Sequence, residues 1–274
     1  MTGRLGIVAG GGRLPQRLLE ACRAAGRDVF VLALEGAAEP ETVRGVPHAW
    51  CRLGAAVTGL SLLRENNVTE LVLAGSVQRP SLSTLRPDWR AAKLFARIGY
   101  RAIGDDGLLS AIIRELEQEG FRVLGVDQLL EGELAAEGPL GAVKPNPQSE
   151  PDIKHGLRIA CALGDLDIGQ AAVVQQGLVL GVEAIEGTDE LLRRCTTLRR
   201  EGLGGVLVKI AKPGQERRAD RPTIGPRTVA LAAEAGLAGI AVEAGATVVL
   251  DRDEVIGAAD REGLFVVGVR HSWP

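Results

Sequence analysis

The chain has 274 residues, of which 46% are hydrophobic and only 3% aromatic, and a formal net charge of −3. That length holds one large or two ordinary domains with a core of Ala, Val, Leu and Ile; the charge excludes a strongly basic nucleic-acid binder, so no nucleic-acid partner is expected. Cys22, Cys51, Cys161 and Cys195 form no C-x-x-C pair, which signals neither a zinc site nor a disulfide framework and makes reduced, cytosolic thiols the expectation.

The first apolar run turns into glycines rather than a signal-peptide cleavage site. No stretch approaches about 20 uninterrupted apolar residues, so a membrane span is not expected. Leu5 to Ala9 reads as a first strand, followed by Gly10-Gly11-Gly12 and a helix that opens near Pro15, a residue pre-set for a first helical turn. Val29 to Leu34 is a second strand, Gly59 to Glu65 lies in a helix, and Leu71 to Ala74 is a third strand that ends at Gly75-Ser76-Val77-Gln78-Arg79-Pro80. A basic helix around Leu85 to Tyr100 and the turn at Gly104-Asp105-Asp106 come next. Leu108, Leu109, Ile112, Ile113 and Leu116 then share one face of an amphipathic helix, and Phe121 to Val126 closes the series. Such β-α-β alternation implies a parallel, doubly wound sheet.

From Glu131 to Asp152 the pattern dissolves into Gly, Pro and polar residues, and a domain boundary is placed there. The expected organisation is α/β in two domains. Residues 1–135 form an N-terminal Rossmann-like domain, 136–152 a linker, and 153–274 a distinct C-terminal α/β catalytic domain. In the second half, Ala171 to Val174 and Leu178 to Val182 flank Gln175-Gln176-Gly177 as a hairpin, and Thr188-Asp189 is expected to cap a helix carrying Leu191 and Leu192. A buried strand at Val206 to Ile210 runs into a charged loop, then a helix from Pro226, strands near Gly239 to Val242 and Thr247 to Leu250, a helix near Glu254 to Ala259 and a last strand at Leu264 to Val269.

Chemistry concentrates at strand ends. Gly10, Gly11 and Gly12 follow the first strand, where open α/β sheets bind ligands and a helix N-terminus favours phosphate; otherwise they make a tight turn. Pro15 replaces the third glycine of the dinucleotide fingerprint, while Glu35 stands where a ribose-binding acid would be, so a nicotinamide-dependent oxidoreductase is a rival reading. Arg79 sits on the same rim, either facing a ligand or simply exposed. Asp105 and Asp106 either cap their helix or meet ligand hydroxyls or a base. Glu183, Glu186 and Asp189 lie after a strand and before a helix; they suit a divalent cation or, alternatively, helix capping and surface charge.

The densest cluster is Gly204 to Pro226, GGVLVKIAKPGQERRADRPTIGP, with Lys209, Lys212, Arg217, Arg218 and Arg221 beside Glu216 and Asp220. Cations next to carboxylates before a helix suit a phosphorylated ligand and a metal ion; a solvated loop is the alternative. It makes one half of an expected inter-domain phosphate site, with the glycine and arginine loops of the other domain as its counterpart. His48, His155 and His271 have no metal-ligand spacing. Arg86, Arg90, Lys93, Arg97 and Arg101 recur on one helical stripe near Trp89, which suits docking on anionic lipid headgroups or a solvated face.

IVAGGGRLP, GSVQRP, GDDGLL, DIGQAAVV, GLVLGVEAIEGTDELLRR, KPGQERRADRPTIGP and GLAGIAVEAG occur in this order along nearly the whole chain, which thereby resembles the LpxI-type UDP-2,3-diacylglucosamine pyrophosphatases of Gram-negative bacteria. The resemblance implies hydrolysis of UDP-2,3-diacylglucosamine to UMP and 2,3-diacylglucosamine 1-phosphate (lipid X) in lipid A biosynthesis. It further implies a divalent cation, usually Mg2+, and a cytoplasmic location, and admits a homodimer; peripheral contact at the inner membrane is what the basic stripe near Trp89 would add. The family's essential aspartate maps onto Asp220, with Arg221 beside it where an apolar residue is usual. Lys209, Lys212 and Arg218 would then clamp phosphates, and Asp220 and Glu183 would serve the metal. Substrate-binding positions fall at Gly10, Gly11, Gly12, Leu14, Gly75, Ser76, Val77, Gln78, Arg79, Asp105, Asp106, Gln170, Glu186, Gly187, Thr188, Asp189, Arg218 and Thr223. A non-catalytic nucleotide-sugar or lipid-binding protein using the same rims is a third reading.

Overall fold

The computed structural model describes residues 3–77, 86–98, 105–130 and 132–270. The chain forms two compact units, one of residues up to Glu131 plus Glu216–Asp220, the other of Gly132–Gln215 plus Arg221 onward.

The N-terminal unit is a five-stranded sheet of β1 (Arg4–Ala9), β2 (Val29–Leu34), β3 (His48–Cys51), β4 (Val68–Ala74) and β5 (Arg122–Leu124), in the spatial order β3-β2-β1-β4-β5. Every pairing is parallel. This is the strand order of a Rossmann half, with the order reversing beside β1. Successive side chains leave a strand on opposite faces, so Phe30 and Leu32 join Leu71, Val123 and Ile113 in one cluster while Val31, between them, is fully buried on the other face. Helix α1 (Leu14–Ala24) buries Pro15, Leu18, Leu19 and Cys22, the stripe that a 3.6-residue period brings to one side. Helix α2 (Ala56–Glu65) adds Leu60 and Leu63 to the cluster around Phe30.

The sequence reading missed β3, an exposed edge strand whose HAWC has no apolar run to announce it. The basic helix is α3 (Trp89–Ile98), and its start is set by Asp88, whose carboxylate accepts the N–H groups of Arg90 and Ala91. It packs on α4 (Asp105–Gln118). Arg90 pairs with Glu115 and Glu119, and Arg97 lies 3.5 Å from Glu115. The stripe therefore spends two of its cations on a neighbouring helix; Arg101 lies outside the described residues.

The C-terminal unit contains β6 (Gly138–Pro139), α5 (Ser149–Asp165), β7 (Ala171–Gln175), β8 (Leu178–Val182), α6 (Gly187–Cys195), β9 (Val206–Lys209), β10 (Thr223–Ile224), α7 (Pro226–Glu234), β11 (Gly239–Glu243), β12 (Val248–Val249), α8 (Arg252–Arg261) and β13 (Phe265–Val269). Its main sheet runs β6-β13-β11-β9-β7-β8, with β13, β11 and β9 parallel and the other pairings antiparallel. β10 and β12 make a separate parallel pair. Alternation divides the core into two layers. Val206, Val208 and Ile210 pack with Ile153, Ala160 and Cys161 of α5, while Leu207 packs with Leu191 and Leu192 of α6, Val229 of α7 and Val255 of α8. Burying each such aliphatic side chain contributes roughly 1.5–3 kcal/mol.

Residues 136–152, expected as a linker, belong to this unit. Gly138–Pro139 pairs with β13, and α5 begins at Ser149. Pro151 stands in the first turn of α5, where its missing N–H is no loss. Gly156 supplies close approach, since a Cβ there would lie 2.4 Å from Val208 Cγ2. The expected hairpin is present as β7 and β8.

Candidate functional site

On the N-terminal sheet, β1 and β4 run in the same direction, so their following loops share a rim. Gly11 and Ser76 exchange backbone hydrogen bonds of 2.8 and 2.9 Å, and Gly10 N–H donates to Ala74 O at 2.8 Å. The approach requires glycine: a Cβ on Gly10 would lie 2.5 Å from Ser76 O, and one on Gly75, at φ +91, would lie 2.5 Å from Gly11 O. The two loops expected on one rim are thus joined, although the amides of Gly11 and Ser76 are spent on each other. Gly12, at φ +84, and Leu14 lead into α1, whose N-terminus has no side-chain cap. Val77 is exposed. Gln78 and Arg79 lie outside the described residues; Asp105 and Asp106 open α4, with side chains outside the described set.

Glu216–Asp220 also belongs to the N-terminal unit. Ala219 packs against the cluster around Phe30, and a Cβ on Gly125 would be 3.7 Å from Arg218 Cα. Arg218, read as a phosphate clamp, donates from Nε and Nη2 to the two oxygens of Glu216, both at 2.9 Å, and from Nη1 to Glu117 at 2.5 Å. Its guanidinium is engaged as a strut. The hydrogen bond from Arg218 is the main cause that holds the Glu216 carboxyl below the ordinary carboxylate range, and the same pairing raises Arg218. Asp220 is half-buried, and its N–H donates to Glu216 O at 2.9 Å. Arg221, in the C-terminal unit, donates to Ala246 O at 3.3 Å.

On the C-terminal sheet, β9 ends in Lys209, which is 8% exposed. Its ammonium donates to Thr188 Oγ1 at 2.9 Å and to Thr223 O at 3.0 Å. The Thr188 hydroxyl donates to Glu183 Oε1 at 2.5 Å, and Gln170 N–H donates to Glu183 Oε2 at 3.0 Å. Thr188 is therefore the part-buried middle of a relay between buried Lys209 and Glu183 rather than the helix cap expected from the sequence; α6 has no side-chain cap, and it starts at Gly187 with φ +79. Gln170 Oε1 is buried without a hydrogen-bond partner. Lys212 lies 2.7 Å from Asp167, Glu186 is paired with Arg194 and Asp189 with Arg227. The acids read together from the sequence thus diverge: Glu183 points into the relay, and Glu186 and Asp189 into exposed ion pairs. Among the described residues no group of three or more His, Cys, Asp or Glu is placed to hold a metal ion.

Sequence reasoning missed Glu243 and Gln215. Glu243, 7% exposed at the end of β11, accepts the Ala211 N–H at 2.8 Å, and Gln215 accepts that of Lys212 at 3.0 Å. The signal for Glu243 was there: an acid closes the apolar run GIAVE at the carboxyl end of a strand.

The model of the LpxI N-terminal domain matches residues 4–132, and that of the LpxI C-terminal domain matches residues 136–267. A protein of Caulobacter vibrioides named UDP-2,3-diacylglucosamine pyrophosphatase LpxI is 45% identical over 273 residues, covering 97% of each chain. The chain belongs to the LpxI family. The gap between the two LpxI domain matches, after residue 132 and before 136, lies next to the division of the compact units between Glu131 and Gly132, while Glu216–Asp220 falls inside the C-terminal match although it belongs to the N-terminal unit. Membership in the LpxI family leaves the glycine loop and Glu35 as features of an LpxI N-terminal domain and removes the support for a nicotinamide-dependent oxidoreductase.

Proposed function

We propose that this chain hydrolyses the pyrophosphate of UDP-2,3-diacylglucosamine, with water, to UMP and 2,3-diacylglucosamine 1-phosphate. The 45% identity to a pyrophosphatase of that name along 97% of the chain carries the reading. A buried cation at a strand end supports it chemically. Lys209 would neutralise a phosphoryl oxygen as charge shifts onto it, a task for which a preorganised, poorly solvated donor is effective. Asp220 would orient the attacking water and accept its proton, and the bridging oxygen would leave with its electron pair. Lys212, tied to Asp167, is a weaker phosphate partner than Lys209.

A divalent cation fits this donor set in one form. Mg2+ is ordinarily held by one or two carboxylates together with waters and substrate phosphates, so it needs no all-protein cage. Asp220 is the carboxylate proposed to hold it. Bound Mg2+ would supply charge neutralisation on the pyrophosphate. The acylated substrate also motivates peripheral residence at the cytoplasmic face of the inner membrane; among the described residues no helix is long and apolar enough to cross a membrane. The pairing of Arg90 and Arg97 with α4 makes the basic stripe a poor sole anchor.

The test is direct. Protein incubated with UDP-2,3-diacylglucosamine and Mg2+ should release UMP, and Asp220→Ala should lower that rate at least about 100-fold while substrate still binds. Absence of UMP from the wild-type reaction would sink the assignment, and near-normal turnover by the variant would remove Asp220 from it.

A further inference from the structure

Lys209 and Glu183 are both more than nine-tenths buried and do not touch each other directly; Thr188 stands between them. A hydroxyl has one proton. Because the Thr188 O–H donates to Glu183, its oxygen can only accept from Lys209. An ammonium has three N–H donors. Two are used, on Thr188 and Thr223 O, and the third has no protein acceptor among the described residues. Glu183 is itself fixed. Its second oxygen takes the Gln170 N–H, and its backbone is pressed against Gly169, where a Cβ would lie 2.2 Å from Glu183 O.

We propose that Glu183 is a positioning residue for Lys209: it accepts the hydrogen bond of the Thr188 hydroxyl, so that the hydroxyl oxygen faces and holds the ammonium with its remaining N–H available to a phosphoryl oxygen. This deepens the hydrolase reading and rests on it for the identity of the anion. The role differs from the metal ligation expected for Glu183 from the sequence. Both carboxylate oxygens already receive protein donors, and a glutamine there would offer one acceptor oxygen where two donors arrive.

Inorganic pyrophosphate binding, measured by calorimetry in EDTA, separates these roles without turnover. Glu183→Gln and Thr188→Val should each weaken binding about tenfold, the worth of roughly one hydrogen bond to a charged group. Thr188→Ser, which keeps the hydroxyl, should stay within about twofold of wild type. The Glu183→Gln/Thr188→Val double variant should bind no worse than the weaker single variant, because one residue acts through the other. Wild-type affinity for Glu183→Gln in EDTA, additive losses in the double variant, or a wild-type protein that binds no pyrophosphate would each overturn the proposal. Failure of UMP release alone would overturn the hydrolase reading and leave this result standing.

Discussion

In the N-terminal unit β1 and β4 run out into glycines whose amides bond one another, whereas in the C-terminal unit β9 and β11 end in Lys209 and Glu243, ionisable side chains 8% and 7% exposed. Both rims lie at the carboxyl ends of parallel strands, where α/β sheets place ligand chemistry. The first is made of backbone, so its constraint is steric, and a single methyl group is enough to violate it. The second is made of buried charge. Its constraint is that each donor and acceptor keep a partner, since an unsatisfied charged group in a poorly solvated interior is costly. Topology thus places both rims at strand ends without saying whether shape or charge governs them.

The contrast predicts different failures. The largest effect is expected from Lys209→Met, which preserves the stem and removes the charge. It should lower kcat/KM for UMP release by about 100-fold or more, with the circular dichroism spectrum intact; a loss under tenfold would move the chemistry away from this rim. Gly10→Ala should act on folding instead. Its Cβ would fall 2.5 Å from Ser76 O and 2.9 Å from Gly75 O, backbone atoms that cannot swing aside. A cost of about 2–3 kcal/mol in urea unfolding is expected. Gly12→Ala meets nothing within 4 Å and pays only for φ +84, about 1 kcal/mol. Equal costs at Gly10 and Gly12 would break the steric account of this rim.

The smallest effect belongs to neither rim. Glu216 has its carboxyl depressed by Arg218, so its pairing stabilises the fold above the ordinary carboxylate pKa, and that contribution is lost as pH falls through the lower folded value. Glu216→Gln should therefore cost about 0.5 kcal/mol near pH 7, a small figure because Arg218 is 36% exposed and screened by solvent. The difference from wild type, read from urea midpoints, should shrink as pH drops below about 4. A deficit that is constant with pH would mean the ion pair is not its source.

Much of the fold was legible because the strands advertise themselves. VFVLAL and VLVK are short β-branched or aliphatic runs, buried on both faces. α5 was illegible for a specific reason: Pro151, Gly156 and Gly164 resemble helix breakers, yet the proline stands in the first turn and Gly156 is set against Val208. At the site, Lys209 was visible and its environment was not. Thr188 is 21 residues away from it and Glu183 a further five, on different elements, so periodicity does not connect them. Arg218 shows the converse. A cation in a charged loop looked available for phosphate, but its partner Glu117 lies 101 positions away in sequence.

The path of the chain through Glu216–Asp220 has a consequence for biosynthesis. A nascent polypeptide that has emerged only as far as Glu131 lacks Ala219 for the cluster around Phe30 and Arg218 for Glu117. Vectorial synthesis therefore delivers an N-terminal unit that is five residues short until β9 has also left the ribosome. A gene cut at the apparent seam would encode a first fragment that never receives them.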